Sequence, residues 1–207
     1  CFSLQDAVTS SDIQRVREVI KDGQYTPKEV KNSLFFACGS GKTGCAALLL
    51  ETGISPDIHN DEEFTPLTLA TRGGHHQVVD MLLRWDCDVG IVGPMGNTSL
   101  HYAASEGYGE CCKLLVEGGA DLNCRNSRAD TPLILASTNG HLSVVKYLLE
   151  KNALARRRGY HERTALHCAT ENGHLEICRL LINANADLEE EDTFGNTPLI
   201  CAAEKVM

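Results

Sequence analysis

TPLTLA (65–70), TSLHYA (98–103), TPLILA (131–136), TALHCA (164–169) and TPLICA (197–202) recur at one spacing: Thr65, Thr98, Thr131, Thr164 and Thr197 lie 33 residues apart. A fixed period of this length marks a stack of similar two-helix units, each touching only its neighbours. It overrides the expectation of one or two globular domains that 207 residues would otherwise carry. A stack offers surface for partners and no obvious enclosed place for catalysis.

The copy beginning at Thr131 shows the unit. Thr131 suits an N-cap, and Pro132 suits the first helical position, where no N–H is needed. Leu133, Leu135 and Ala136 form an apolar face, and Asn139-Gly140 breaks the helix. Leu142, Val145, Leu148 and Leu149 then give a second run at helical spacing. The copy at Thr164 repeats this through Asn172-Gly173 to Ile177, Cys178, Leu180 and Leu181, and Gly74 and Gly107 mark the break elsewhere. Such helices are too short to stand alone, so each leucine must be buried against the next unit, worth about 1.5–3 kcal/mol apiece. A polar stretch such as Gly119-Ala120-Asp121-Leu122-Asn123 turns the chain back between units.

The T-P-L-H-x-A phrase, the glycine before the second helix and the GADLN stretch together resemble the ankyrin repeat, over roughly residues 30–207 and more weakly over 1–25. The resemblance implies an all-α ankyrin-repeat solenoid of stacked antiparallel helix pairs with hairpin-like fingers. It also implies a concave face, lined by fingers and first helices, that binds other proteins. We expect a single array over 1–207. It comprises a divergent amino-terminal helix pair (1–25), a degenerate repeat (26–57), four repeats (58–90, 91–123, 124–156, 157–189) and an incomplete last one (190–207). In the amino-terminal pair, Leu4, Ala7, Ile13, Val16, Val19 and Ile20 supply the apolar positions. Thr26-Pro27-Lys28-Glu29 reads as a capping box, predicting a lengthened helix from Pro27 to about Cys38. A chain that starts at Cys1 and stops at Met207, after only the first helix of its last copy, is expected to be part of a longer protein.

The net charge of −9 argues against nucleic acid as a ligand and makes a basic protein segment the more natural partner. No apolar run is long enough to span a membrane, and no secretory leader is visible. The ten cysteines follow the repeat. Cys45 and Cys111 share a phase with Val78, Val144 and Ile177, whereas Cys168 and Cys201 share one with Leu69 and Leu135. They read as buried free thiols in a reducing compartment, cytoplasmic or nuclear. A zinc site from Cys168, His174 and Cys178 matches no common ligand spacing. No metal, cofactor or catalytic constellation is expected, so the chain is read as a non-enzyme.

Gly39-Ser40-Gly41-Lys42-Thr43 looks like the tail of a phosphate-binding loop, but Phe36 stands where that motif needs glycine. Gly41 is in phase with Gly74, so a helix–helix turn is the favoured reading. The family resemblance makes His101 and His167 structural, bridging neighbouring repeats, and gives His75, His141 and His174 a structural place too. Arg156, Arg157 and Arg158 are each 33 residues before Glu189, Glu190 and Glu191, so stacking should pair them or leave the arginines for an acidic ligand. Asn123 sits in a context resembling that of hydroxylated ankyrin asparagines. Trp85 falls in the loop after a second helix, where it serves a second contact or covers its neighbours.

The resemblance also places recognition at finger tips, before the threonine and at first-helix ends. Carried over by phase, the tips include Asp61, Glu62, Pro94, Met95, Ser127, Arg128, Tyr160, His161, Thr193 and Phe194. Interfaces favour aromatics, Met and Arg. The expected partner-binding residues are therefore Phe64, Arg72, Met95, Tyr160, Arg163 and Phe194, with His161 beside them. The expected function is a protein–protein interaction module in a larger intracellular scaffold or adaptor. The alternatives are a structural spacer, or the cytosolic regulatory part of a channel or enzyme.

Overall fold

The computed structural model describes residues 3–23 and 25–204; the expectation of a buried thiol at Cys1 falls outside them. The chain forms two compact units, Cys1–Pro94 and Met95–Met207. The first holds α1 (Leu4–Thr9), α2 (Ile13–Asp22), α3 (Pro27–Gly39), α4 (Thr43–Leu50), α5 (Pro66–Arg72) and α6 (His76–Arg84). The second holds α7 (Ser99–Glu106), α8 (Gly109–Glu117), α9 (Pro132–Thr138), α10 (Leu142–Glu150), α11 (Ala165–Glu171), α12 (Leu175–Asn183) and α13 (Pro198–Glu204).

The helices start where the caps predict. Thr65 and Thr131 accept the N–H of Thr68 (3.2 Å) and Ile134 (3.3 Å) through their hydroxyls. Thr26 and Glu29 satisfy each other's backbone N–H at 3.2 and 2.7 Å, and α3 runs from Pro27 to Gly39, as expected. The first helices end before Gly41, Gly74, Gly107, Gly140 and Gly173, all left-handed, with φ from 69° to 79°. At Gly107 and Gly140 a side chain would also strike the rings of His141 and His174. Those rings donate across to the preceding repeat, to the carbonyls of Ser105 (2.7 Å) and Thr138 (3.2 Å).

Helices pair as hairpins and then stack in two rows. In the first unit α1, α3 and α5 pack in sequence, with α2, α4 and α6 beside them. In the second, α7, α9, α11 and α13 form one row and α8, α10 and α12 the other. Ala37, Ala70, Ala103, Ala136 and Ala169 are wholly buried at one phase of the first helices, where only a small residue lets neighbours approach. Leu82, Leu115, Leu148 and Leu181 are wholly buried at one phase of the second. Of the nine cysteines among the described residues, seven are buried, and Cys124 and Cys178 are half-buried. Burial pushes the Cys38, Cys87 and Cys112 thiols up to about 12 and Cys111 to about 11, so they pack as small apolar groups.

His101 and His167 join repeats, as the family resemblance implies. His101 accepts the Thr98 N–H at Nδ1 (3.1 Å) and donates from Nε2 to the Asp130 carbonyl (3.0 Å). His167 does the same with Thr164 (3.1 Å) and Asn196 (3.1 Å). Only the neutral, Nε2-protonated ring fills both roles. Burial is the main cause that lowers both rings below their ordinary value of 6.5, against the raising effect of the carbonyls they bond.

Two outcomes follow for stability. The unfolded histidines take up protons that the folded rings refuse. Their contribution is therefore complete above pH 6.5 and is lost as pH falls through the lowered folded values. The melting midpoint should drop between pH 7.5 and 5.5, at up to about 1.4 kcal/mol per pH unit per ring. The capping carboxylates of Asp6 and Glu29, lowered chiefly by the backbone N–H of Ser3 and Thr26, begin to matter only near their ordinary 3.8 and 4.5. A midpoint unchanged between the two pH values contradicts this. Separately, Ala136→Leu should destabilise by about 1–3 kcal/mol in urea unfolding through overpacking.

Candidate partner-binding surface

Four of the fingers are five-residue loops closed by one backbone bond: Asn60 to Phe64 (3.0 Å), Asn126 to Asp130 (3.1 Å), Gly159 to Arg163 (2.8 Å) and Asp192 to Asn196 (3.0 Å). Fingers opened by Asn or Asp are held from within. The Asn126 side-chain oxygen accepts from the N–H of Arg128 (2.9 Å) and Asp130 (3.0 Å), and Asp192 serves Phe194 (2.9 Å) and Asn196 (3.0 Å) likewise. Gly159 has no such oxygen. Its finger takes a tight 3-10 turn over Tyr160–Glu162, with His161 and Glu162 both left-handed at φ 55° and 59°. Met95 and Gly96 repeat this pair at φ 59° and 67°.

The fingers of the second unit are tied in a row. The Ser127 N–H donates to the Met95 carbonyl (2.9 Å), and the Thr193 N–H to the His161 carbonyl (3.0 Å). Between them the Tyr160 N–H donates to the Asp130 carboxylate (2.9 Å). Asp130 is buried, and its carbonyl also receives His101. The sequence placed Asp130 at the position before a threonine but did not reveal its tie to Tyr160 or the part of Gly159; the glycine in a slot that holds Asn60, Asn126 and Asp192 elsewhere was the available signal.

This row brings three of the expected site residues together. The Tyr160 and His161 rings lie 3.8 Å apart, and His161 and Phe194 5.2 Å apart. Arg128 covers Tyr160 at 4.3 Å from the ring centre. Tyr160 is 46 % exposed, Phe194 70 % and Met95 60 %.

The other expected residues are engaged within the fold, and Arg72 remains exposed. Phe64 is only 8 % exposed, and the Arg72 guanidinium lies over its ring at 4.4 Å, so Phe64 is not a surface anchor. Arg163 is half-buried, ion-paired with Glu171 at 2.9 Å, with its Nη2 3.9 Å from the Cys201 sulfur. Both pairs join the residue before the threonine to the end of the first helix, eight positions on. The arginine–glutamate register also differs from the expected one. Arg158 pairs with Glu162 (3.2 Å) and with Glu190 rather than Glu191, while Arg156 donates to the Asn185 carbonyl (2.8 Å).

Three further motifs find their places. Gly41 is a left-handed turn after α3, and Lys42 reaches the Thr9 carbonyl (3.2 Å), so no strand–loop–helix phosphate cradle forms there. Among the described residues, no three His, Cys, Asp or Glu side chains are grouped to hold a metal, and Cys168 lies in the core. The Asn123 side-chain oxygen accepts the Leu154 N–H (2.9 Å), tying one connection to the next.

Sequence comparison agrees with the repeated hairpins. A family profile for ankyrin repeats (3 copies) matches residues 4–93, 85–158 and 154–206, and the chain belongs to this family. It is 38 % identical over 79 residues to probable E3 ubiquitin-protein ligase XBOS33 of Oryza sativa subsp. japonica, covering 38 % of this chain and 15 % of that protein. It is 28 % identical over 113 residues to probable E3 ubiquitin-protein ligase XBOS32 of the same species, covering 50 % of this chain and 22 % of that protein. The chain thus spans under a quarter of the length of either relative. Ankyrin repeats are generally protein–protein interaction modules.

The finger row gives a test. A Cβ at Gly159 would run into the Asp130 carboxylate and lie 2.9 Å from Ile134 Cδ1. Gly159→Ala should therefore cost about 1–3 kcal/mol in urea unfolding and expose the Tyr160 amide to exchange. Wild-type stability and unchanged exchange would show that the finger tie carries no weight.

Proposed function

We propose that the finger row of the second unit captures a basic segment of a protein partner, with Tyr160, His161 and Phe194 as anchors and Met95 extending the surface. The observation that carries this is the exposed aromatic stack, built on a backbone held by bonds between fingers. Arg128 over Tyr160 is an internal example of what such a stack accepts, since a guanidinium over an aromatic face is attractive. Phe194 offers the same kind of face, and the exposed Glu189 and Glu191 lie just before its finger. The finger backbone is preorganised, so a partner is met with little change of shape. In this reading the chain is the partner-selecting piece of a larger scaffold or adaptor in a reducing compartment, cytoplasmic or nuclear.

A second reading rests on the two rice relatives. Their printed names describe probable ubiquitin ligases, and the present repeats would then choose the protein to be modified, with the transfer chemistry elsewhere in the longer chain. Both readings use the same surface and assign no catalytic residue to it.

Selection of peptides displayed on phage against the whole chain tests the proposal. The selected peptides should carry Arg or Lys. Tyr160→Ala/Phe194→Ala should weaken them at least about tenfold, with the melting midpoint kept. Peptides that bind the double variant as well as the wild type overturn it and favour a spacer.

A further inference from the structure

The repeat pattern of the second unit breaks at one connection, and the break lines a groove. Elsewhere the residue that opens the turn after a second helix supplies an oxygen to hold it. Ser55 accepts from the Asp57 N–H (3.2 Å), Asp88 from Gly90 (2.8 Å), Asp121 from Asn123 (2.9 Å) and Asp187 from Glu189 (3.1 Å). At this phase the fourth connection has Leu154, whose side chain has no acceptor and is 48 % exposed. Two residues on, Asp57 and Asn123 accept backbone N–H groups of the next connection, from Asp88 (3.0 Å) and Leu154 (2.9 Å). Arg156 takes that slot here and donates instead, to the Asn185 carbonyl (2.8 Å). An acceptor has become a leucine, and a slot filled by Asp57, Gly90 and Asn123 in the earlier connections holds a cation.

Both departures line one groove of about 390 Å³, together with Leu149, Ala153, Ala155 and Ala184. Arg157, next along the chain, is exposed and has no ion-pair partner among the described residues. Glu150 lies 4.0 Å from Lys146, Asp187 closes its own turn and Glu190 pairs with Arg158, while Glu189 and Glu191 are exposed. Leu154 thus stands exposed where an aspartate would cap the turn. Asn152 and Asn185 complete the lining, and a largely apolar floor beside the Arg156 guanidinium, with Arg157 next in sequence, suits a ligand that is apolar at its centre and anionic at its edges.

We propose that this groove docks an acidic peptide segment of a protein partner, seating one large aliphatic or aromatic side chain on Leu154 and the alanines, with flanking carboxylates on Arg156 and Arg157. The site uses none of the finger anchors, so it stands or falls apart from the function proposed above.

Titration of the whole chain with two acetylated, amidated hexapeptides, Asp-Glu-Leu-Phe-Glu-Asp and Lys-Lys-Leu-Phe-Lys-Lys, tests this by nuclear magnetic resonance. The acidic peptide should shift the amides of residues 152–156 and 184–185 saturably below about 1 mM, and the basic one should not. Leu154→Asp restores the turn acceptor, so its melting midpoint should equal or exceed that of the wild type while acidic-peptide affinity falls at least about tenfold. Arg157→Glu, at an exposed position, should give the same loss with the midpoint unchanged. The proposal is overturned by a similar response to both peptides, by no saturable response, or by binding that survives Leu154→Asp. It is equally overturned by a lowered midpoint in that variant, which makes the leucine structural. Self-association in sedimentation that Leu154→Asp abolishes overturns it too, since the groove then belongs to a second copy.

Discussion

No described helix is longer than thirteen residues, and those of the second unit have seven to nine. Helices of that length do not persist in water, so each exists because neighbouring hairpins cover its apolar stripe. This mutual burial sets the spacing of everything else. Wholly buried alanines, Ala37 and Ala70 in the first unit and Ala103, Ala136 and Ala169 in the second, let first helices approach within each unit, and Leu82 in the first and Leu115, Leu148 and Leu181 in the second fill the layer of second helices. Close approach leaves little water for the helix ends. At the first helices polar groups are met within the protein, by threonine caps and by histidines that span from one repeat to the next. The period of 33 residues is the trace in sequence of one contact made repeatedly.

That constraint binds the hairpins and leaves the fingers freer. A finger must close its loop and meet its neighbour, and the chain does this in two ways. An Asn or Asp at the first position organises the loop from within, as at Asn126 and Asp192. A glycine there leaves the loop to be held from outside, by Asp130 reaching across to Tyr160. In the second case the tip residues are positioned by a neighbour rather than by their own loop. The aromatic stack is thus a property of adjacent fingers together, and no single repeat could present it.

Much of the hairpin architecture was legible in the sequence, because apolar periodicity and caps act locally. The lengthened α3 is an example: Thr26, Pro27 and Glu29 define its start by short-range bonds. Contacts between side chains at different phases were not legible. Phe64 and Arg163 share the position before the threonine, and phase alone marked both as available for recognition. Each is engaged by the residue eight places on, Arg72 over a ring and Glu171 through an ion pair, and no periodic signal encodes that coupling. The arginine run was misaligned by one residue for a related reason. Side chains as long as Arg158 and Glu190 choose partners by reach rather than by register.

The strained backbone of two fingers bears on their purpose. A left-handed residue other than glycine, asparagine or aspartate costs on the order of 1 kcal/mol. Position 63 and its counterparts are left-handed in every finger, at Glu63, Gly96, Ala129, Glu162 and Gly195, so that cost belongs to the loop itself. Met95 and His161 add a second left-handed residue only where the finger opens with glycine. Glycine would be easier at either place, yet one carries a large flexible thioether and the other a ring wedged between Tyr160 and Phe194. A side chain kept against the preference of its own backbone has work outside the loop. For His161 the structure already supplies part of it, since the ring joins two aromatic tips that would otherwise stand apart. Met95 has no ring to join, and its flexible thioether is left 60 % exposed.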